Sequence, residues 1–452
     1  MAKKHQTVTI LPVRLKEDLE SLNLSKIKFD RSVQLLSKLK SNSYKQHGNY
    51  TTLVRMPKTY LDKLLTKKYN LVLEPLIEAG IISRNNFFSK ERGICKEYGI
   101  AKKYYYKNKE VIEENIWEYG VDMCIIAYTC PLFLKPFETQ TVTSWVREDL
   151  KTLKFDLKKL TILAKNRVSK ISILDFKINS QIQDEYVQVT VFRNGSVVKY
   201  WAEVAKLLEQ GELEGLTLIQ DKRKVYLMEV EDFITMKKTT LSVYYQDALM
   251  RLEKGIWFAS RNKTNFRLDS NITNMCNVLV EQIVEDNDLC QIDLMNSQFT
   301  ILSNILPKDL VHPSTEIFKQ LSMSGELYTY IMDKLSLEDR GVAKKVTFEL
   351  LFSSHKNKST LLAQLKEVFP EVLEYIKNYK VVYGDKEFSI MLQKFESDLF
   401  VDTVWSQVKK LGLFCLTKHD SIICKKEDSK IVQEILTKCF EERSFEGRLA
   451  TT

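Results

Sequence analysis

Leu413-Phe414-Cys415-Leu416-Thr417-Lys418-His419-Asp420-Ser421-Ile422-Ile423-Cys424 is the stretch on which the reading of this chain turns. Two short apolar runs flank His419-Asp420, the pattern of a tight hairpin with a carboxylate at its tip. Asp is an ordinary turn residue, so a purely structural reading stands beside a chemical one. Well before it, Cys290-Gln291-Ile292-Asp293-Leu294-Met295-Asn296-Ser297-Gln298 places a second carboxylate at the end of an apolar strand, followed by polar residues entering a helix. A lone Asp there commonly caps the helix.

The segment between the two carboxylates shifts the balance. Arg340, Lys344, Phe348 and Phe352 are spaced by four, so they drift only about 40° per step and stripe one helix face over about 18 Å. Val342, Val346, Leu350 and Leu351 fall on the other face. Two cations and two aromatics in line form a surface suited to gripping a triphosphate through Arg340 and Lys344 and stacking a base on Phe348.

Around this core of the argument, composition sets bounds. The 452 residues carry a formal charge of +9, are 44% hydrophobic and include only 14 Gly and 8 Pro. Disordered, collagen-like and linker-dominated classes are excluded, and the length suits about two to three domains with a large core. No apolar run approaches the roughly 20 residues that span a bilayer, and Met1-Ala2-Lys3-Lys4-His5 leads into no signal segment. A cytoplasmic chain without a membrane partner is expected. The 8 Cys form no CxxC pair, which points to neither disulfides nor zinc. Residues 1–70 hold 15 Lys/Arg against 5 Asp/Glu, a local +10. Such a front end attracts phosphate backbones or is simply a solvated basic face.

Along the chain, helices are expected from Lys58 and around Val72 to Ile77, the second stopped at Gly80. A strand at Ile81-Ile82 and a basic hairpin follow, with Lys90, Arg92, Lys96, Lys102 and Lys103 along a wing. Residues 144–169 read as one long charged helix, 186–200 as a hairpin turning at 192–196, and about 241–254 as another helix. Lys102-Lys103-Tyr104-Tyr105-Tyr106-Lys107 reads as a wet edge strand, His312 and His355 as structural or surface residues.

Taken in order, Asp293 in a DxxxxQ segment, the stripe Arg340-x3-Lys344-x3-Phe348-x3-Phe352, and His419-Asp420-Ser421 resemble motifs A, B and C of family A DNA polymerases, the DNA polymerase I-like group related to phage-type single-subunit RNA polymerases. Phe266-Arg267-Leu268-Asp269-Ser270-Asn271-Ile272-Thr273-Asn274 is similar to the Gly-Arg-Leu-Ser-Ser segment that touches primer-template there. Gln393-Lys394-Phe395-Glu396-Ser397 is similar to the Gln-bearing helix between motifs B and C. The resemblance covers residues 240–445 or thereabouts.

It implies an α+β, right-hand polymerase, with an antiparallel palm sheet and helical fingers and thumb, preceded by a small, mostly helical domain that is a candidate winged helix. The expected division is 1–135 for that basic domain, 136–240 for a connecting or thumb-like region, and 241–452 for palm and fingers. The resemblance implies that Asp293 and Asp420 hold two Mg²⁺ ions, that Lys344 binds the triphosphate and protonates the leaving pyrophosphate, and that Arg340 holds the outer phosphate. Phe348 would pack on the incoming nucleotide, while Arg267, Asn274, Gln393 and His419 would contact primer and template. Three positions depart from the family: Gln298 replaces the Glu that excludes the ribose 2′-OH, Phe352 its partner Tyr, and Ser421 the Glu usual after the motif C Asp. The activity implied is template-directed DNA synthesis from nucleoside triphosphates on a primer, by a compact enzyme of phage or mobile-element type. No Asp-x-Glu pattern is formed by Asp175, Asp184 and Glu185, so no proofreading exonuclease is expected. An RNA-synthesising or primer-making enzyme of the same fold, and a non-catalytic DNA-binding replication protein with a degenerate palm, are the alternatives.

Overall fold

The structure, a computed structural model, describes residues 4–85, 95–106, 119–131, 140–193, 196–209, 215–222, 224–357 and 359–452. It is a mixed α+β chain with small sheets, antiparallel except for one parallel pair of strands, and it divides into two compact units: residues 1–134 with 157–253, and 135–156 with 254–452. This differs from the three-part division expected from the sequence. The expected middle region is split between the units, and the helix leading up to residue 253 joins the first unit.

In the first unit β1 (Lys4–Pro12) leads through α1 (Val13–Ser21) to α2 (Lys26–His47), which Gly48 ends in the left-handed conformation at φ +67°. Next come β2 (Val54–Arg55), α3 (Lys58–Leu65), α4 (Asn70–Glu78), β3 (Ile82–Arg84), β4 (Glu97–Ile100) and β5 (Met123–Pro131). β1 pairs antiparallel with β5, and the three short strands form a sheet of order β2-β4-β3. Leu35, Leu36 and Leu39 of α2 are fully buried with Leu61, Leu65, Leu73 and Leu76 of α3 and α4. Lys90 and Arg92 of the expected wing lie outside the described residues, as do the tip residues Asn194 and Gly195 of the expected hairpin.

The expected long helix is two helices, α5 (Gln140–Thr152) and α6 (Leu157–Ser169). The break has a local cause: Asn287 accepts from the Lys154 backbone N–H at 2.7 Å and donates to its carbonyl at 2.7 Å, while Phe155 packs on Trp257. α5 therefore belongs to the second unit and α6 to the first. Then follow β6 (Lys177–Ile178), β7 (Tyr186–Arg193), β8 (Ser196–Glu203), α7 (Val204–Glu209), β9 (Thr217–Asp221), β10 (Lys224–Met228) and α8 (Val230–Glu253), the helix expected only from Leu241. The strands form a sheet of order β6-β9-β10-β7-β8, in which β7 and β10 are the parallel pair. α8 is tied to α2 by Asp247, which accepts from Lys40 at 2.6 Å and from Arg251 at 2.7 Å. Burial raises the Asp247 carboxyl, but Lys40 and Arg251 outweigh it and hold the group below its ordinary value. The Lys102 run is a 3₁₀ turn rather than an edge strand, because Tyr104 and Tyr105 are buried in the core.

The second unit continues with β11 (Ala259–Arg261), β12 (Leu268–Ser270), α9 (Asn277–Asp286), β13 (Leu289–Leu294), α10 (Ser297–Ile305), α11 (Pro313–Ser324), α12 (Leu327–Lys334), α13 (Arg340–Phe352), α14 (Thr360–Val368), α15 (Pro370–Tyr383) and α16 (Asp385–Ser397). A π-helical turn, Asp398–Trp405, leads into α17 (Ser406–Lys410), β14 (Cys415–Thr417), β15 (Ser421–Lys425), α18 (Ser429–Glu442) and β16 (Leu449–Thr451). The sheet order β14-β15-β13-β16 puts the two carboxylate-bearing segments side by side at its centre. α5 seals one side of this sheet: Asp149 accepts from Lys409 at 2.6 Å and from the Cys415 backbone N–H at 3.1 Å, and Trp145 packs on the buried Trp405. His312 caps α11 and His355 pairs with Asp385, the structural roles expected of them. No described helix is long and apolar enough to cross a membrane.

Candidate active site

The expected hairpin of residues 413–424 is present. Lys418 and Ser421 exchange backbone hydrogen bonds, leaving His419 and Asp420 as a two-residue turn. His419 sits in the left-handed region at φ +59°. His tolerates that conformation better than most residues, yet it is uncommon outside Gly and tends to occur at functional turns. Asp293 is directly opposite Ser421 across the β13–β15 ladder, and the Leu294 N–H donates to the Asp420 carbonyl at 3.1 Å. Asp293 is thus no helix cap; Asn296, at φ +48°, precedes α10.

The two carboxylates share one environment. Burial raises the Asp420 carboxyl above its ordinary value, the charge of Asp293 pushes the same way, and its own backbone N–H, Ser297 and Arg267 only partly offset this. Asp293 accepts from Gln291 Nε2 at 2.9 Å and 3.1 Å. Among the described residues neither carboxylate is in an ion pair. Two half-buried carboxylates, mutually repelling and in no ion pair among the described residues, fit a divalent cation. Among the described residues no group of three or more His, Cys, Asp or Glu gathers here.

A third carboxylate completes the site, one to which the sequence reading gave no role. Glu396, 1% exposed on α16, accepts from Arg267 Nε at 2.8 Å and Nη2 at 2.9 Å, from Ser297 Oγ at 3.3 Å, and from Gln298 Nε2. These donors favour its charged form. Burial outweighs them, and with Asp420 nearby the carboxyl is pushed up to about 7. The expected nucleic-acid contact Arg267 therefore has two of its nitrogens committed to Glu396. Gln298 is buried, its amide N–H₂ turned to Glu396 and its Oε1 without a partner. His419 Nδ1 is likewise buried and unpartnered, and burial, with Arg267 and Lys418 beside it, lowers its imidazole to about 4, so the ring is neutral at physiological pH.

α13 presents its stripe as expected. Asp339 caps it, accepting from the Val342 N–H at 2.9 Å, and at Gly341 a Cβ would lie 2.8 Å from the Asp339 Oδ1. The Arg340 guanidinium lies 5.2 Å from the Tyr328 ring centre, Lys344 Nζ 5.8 Å from that of Phe348, and Phe348 stacks on Phe352. Tyr328 of α12 and Phe299 of α10 link this face to the carboxylates: Phe299 meets Tyr328 and Phe348 edge-on. Burial pushes the Tyr328 hydroxyl up, Arg340 opposes this, and Asp420 adds to it, which places the ring within electrostatic reach of both. Tyr328 carried no sequence signal, being one aromatic among many outside any motif.

No protein-family model and no curated protein sequence matches the chain.

The remaining expected contacts sit farther along the same unit. Gln393 Oε1 accepts from Asn265 Nδ2 at 2.8 Å, which holds α16 to the β11–β12 loop. Asn274, exposed beyond β12, donates to the Ser270 carbonyl at 3.1 Å. Gln298, Arg267, Ser297 and Glu396 form one connected cluster beside Asp420.

Proposed function

We propose that the chain is a template-directed DNA polymerase that adds deoxynucleotides to a primer 3′ end, of the family A type that its motifs resemble. The observation that carries the reading is the meeting of Asp293 and Asp420 on adjacent strands, with the cationic face of α13 linked to them through Tyr328 and Phe299. Asp293 and Asp420 would hold two Mg²⁺ ions, which when bound supply charge neutralisation at the attacking 3′-oxygen and the departing pyrophosphate. The side chains do the rest by position and charge. Arg340, at the positive end of α13, grips the outer phosphate, and Lys344 binds the triphosphate and gives a proton to the leaving group. Phe348 packs against the base and Phe352 backs it. His419, neutral and with Nδ1 open, accepts from the primer end.

Sugar choice follows from Gln298. Held by Glu396, its amide fills the position at which the family excludes a 2′-OH, and this supports deoxynucleotides over the RNA-synthesising alternative. The first unit bears on the DNA-binding alternative. Its order of helices α2, α3 and α4 with a β2-β4-β3 sheet is that of a winged helix. Yet α4, the helix that would enter a groove, carries Glu74 and Glu78 and no cation, which is poor chemistry for facing phosphates.

Primer extension on a DNA template with Mg²⁺, comparing deoxy- and ribonucleoside triphosphates with Asp420→Ala in parallel, tests the reading. Extension with deoxynucleotides that vanishes in the variant is expected. Preference for ribonucleotides would favour the RNA-synthesising alternative, and DNA binding without synthesis the non-catalytic one.

A further inference from the structure

The five-stranded sheet of the first unit, β6-β9-β10-β7-β8, has two unlike faces. One is apolar, closed by Val187, Val189, Val191, Val225 and Leu227. On the other, Thr190 is paired with both Tyr226 and Lys199, and Gln188 is opposite Trp201. Lys224 precedes the paired Val225 just as Gln188 precedes Val189, so Lys224, Gln188 and Trp201 form a row across three strands, about 10 Å wide.

On this face Ile219, Tyr226 and Met228 pack on Phe233 and Met236 of α8, and the polar part beside them, with the end of α2, encloses a cavity of about 230 Å³, lined by His47, Asn49, Thr52, Thr190, Lys199 and Lys224 among others, with no carboxylate in the lining. Lys199 Nζ is 3.0 Å from His47 Nδ1. Lys224 is in no ion pair among the described residues. The nearest carboxylates are engaged elsewhere, Glu97 with Arg55 at 3.4 Å and Asp221 with Lys237 at 2.6 Å. Burial, reinforced by the two lysines, lowers His47 to about 4 and leaves it neutral, while burial also lowers both amines from the usual lysine range. Glu97 and Asp221 oppose that lowering from outside the cavity, and two ammonium groups with polar neighbours and no carboxylate in the lining make a seat for an anion.

Beside the cavity, Trp201 is 70% exposed and Tyr186, on the same face, 61% exposed. Leaving such rings in water forgoes the burial that usually stabilises them, and a sheet face that sets aromatics among cations is how proteins hold unpaired bases.

We propose that this face binds single-stranded nucleic acid, with a backbone phosphate seated between Lys199 and Lys224 and a base stacked on Trp201. The proposal rests on the first unit alone and is independent of the polymerase reading. The chemistry could also attract a free nucleotide, and the test separates the two.

Binding of a fluorescein-labelled oligo-dT to the full chain, without divalent metal or triphosphates, is followed by anisotropy over a range of salt. Trp201→Ala is expected to weaken binding at least about fivefold, and Trp201→Phe to restore most of it. Lys199→Gln with Lys224→Gln is expected to flatten the salt dependence by about 0.7 per lysine. Affinity and slope unchanged in these variants would place the strand elsewhere and overturn the proposal. So would displacement by thymidine monophosphate at the same phosphate concentration as unlabelled oligo-dT, the mark of a mononucleotide site. Trp201 and Lys199 are exposed and Lys224 is half-buried at the cavity, and none of the three belongs to the apolar cores.

Discussion

Asp420 sits where its carboxyl is raised above the ordinary value. A carboxyl raised above its unfolded value binds protons more readily in the fold, so its charge detracts from stability at neutral pH. Asp420→Asn is therefore expected to raise Tm while lowering extension by more than about 100-fold, beyond what changes in supporting residues usually cost; a thermal melt run beside the extension assay checks both. Glu396 gives a second case. Its folded value of about 7 lies above the ordinary 4.5, so stability is fully present below about 4.5 and falls as pH rises toward 7. Glu396→Gln is expected to remove that slope from urea titrations made across the interval. Asp293 and Asp420 were legible because each ends an apolar run next to polar turn residues, a pattern local to a few positions. Glu396 and Tyr328 were not, because what brings them to the candidate site is approach over long sequence distances: Glu396 accepts from Arg267 and Gln298 near Asp420, and Tyr328 meets Arg340.

Among the elements, α13 depends on an anchor that its own sequence does not contain. Lys380 of α15, 3% exposed, donates to the carbonyls of Leu350 at 2.6 Å and Ser353 at 2.7 Å, satisfying the C-terminal end of the helix. Lys380→Met keeps the aliphatic stem and strips the donors, which is expected to cost about 1–3 kcal/mol by leaving acceptors unmet and to raise the KM for nucleotides more than it lowers kcat. Burial lowers Lys380 from 10.5 to about 8. The unfolded chain then holds a proton that the folded one releases, so this group makes stability rise with pH between those values, and the variant is expected to lose that rise in denaturant titrations. The stripe on α13 was legible from four-residue spacing. The break at Leu153–Asp156 was not, since Asn287 and Trp257, which impose it, are remote in sequence. β16 escaped notice for a similar reason: three residues gain strand character only by pairing with Asp293 and its neighbours.

At the scale of the whole molecule, the α+β class and a carboxylate-bearing antiparallel sheet were legible, whereas the division into units was not, because composition changes little where the chain passes from one to the other. The second unit needs α5. Asp149→Ala would leave the buried Lys409 without its partner, a change expected to cost about 3–5 kcal/mol, and residues 254–452 expressed alone are expected to melt without a sharp transition in circular dichroism, recovering it when a peptide of residues 135–156 is added. The same arrangement sets a schedule during synthesis. α5 leaves the ribosome long before β14 and Trp405 exist, a wait on the order of 10–50 s at bacterial elongation rates. Until β11 follows, Trp145, Val146 and Leu150, all directed inward in the finished protein, have nothing of their own unit to pack on, and their full cover waits for β14 and Trp405. The nascent chain thus exposes one adhesive helix while its first unit is still being completed around it, and chaperone capture during translation is expected to centre there.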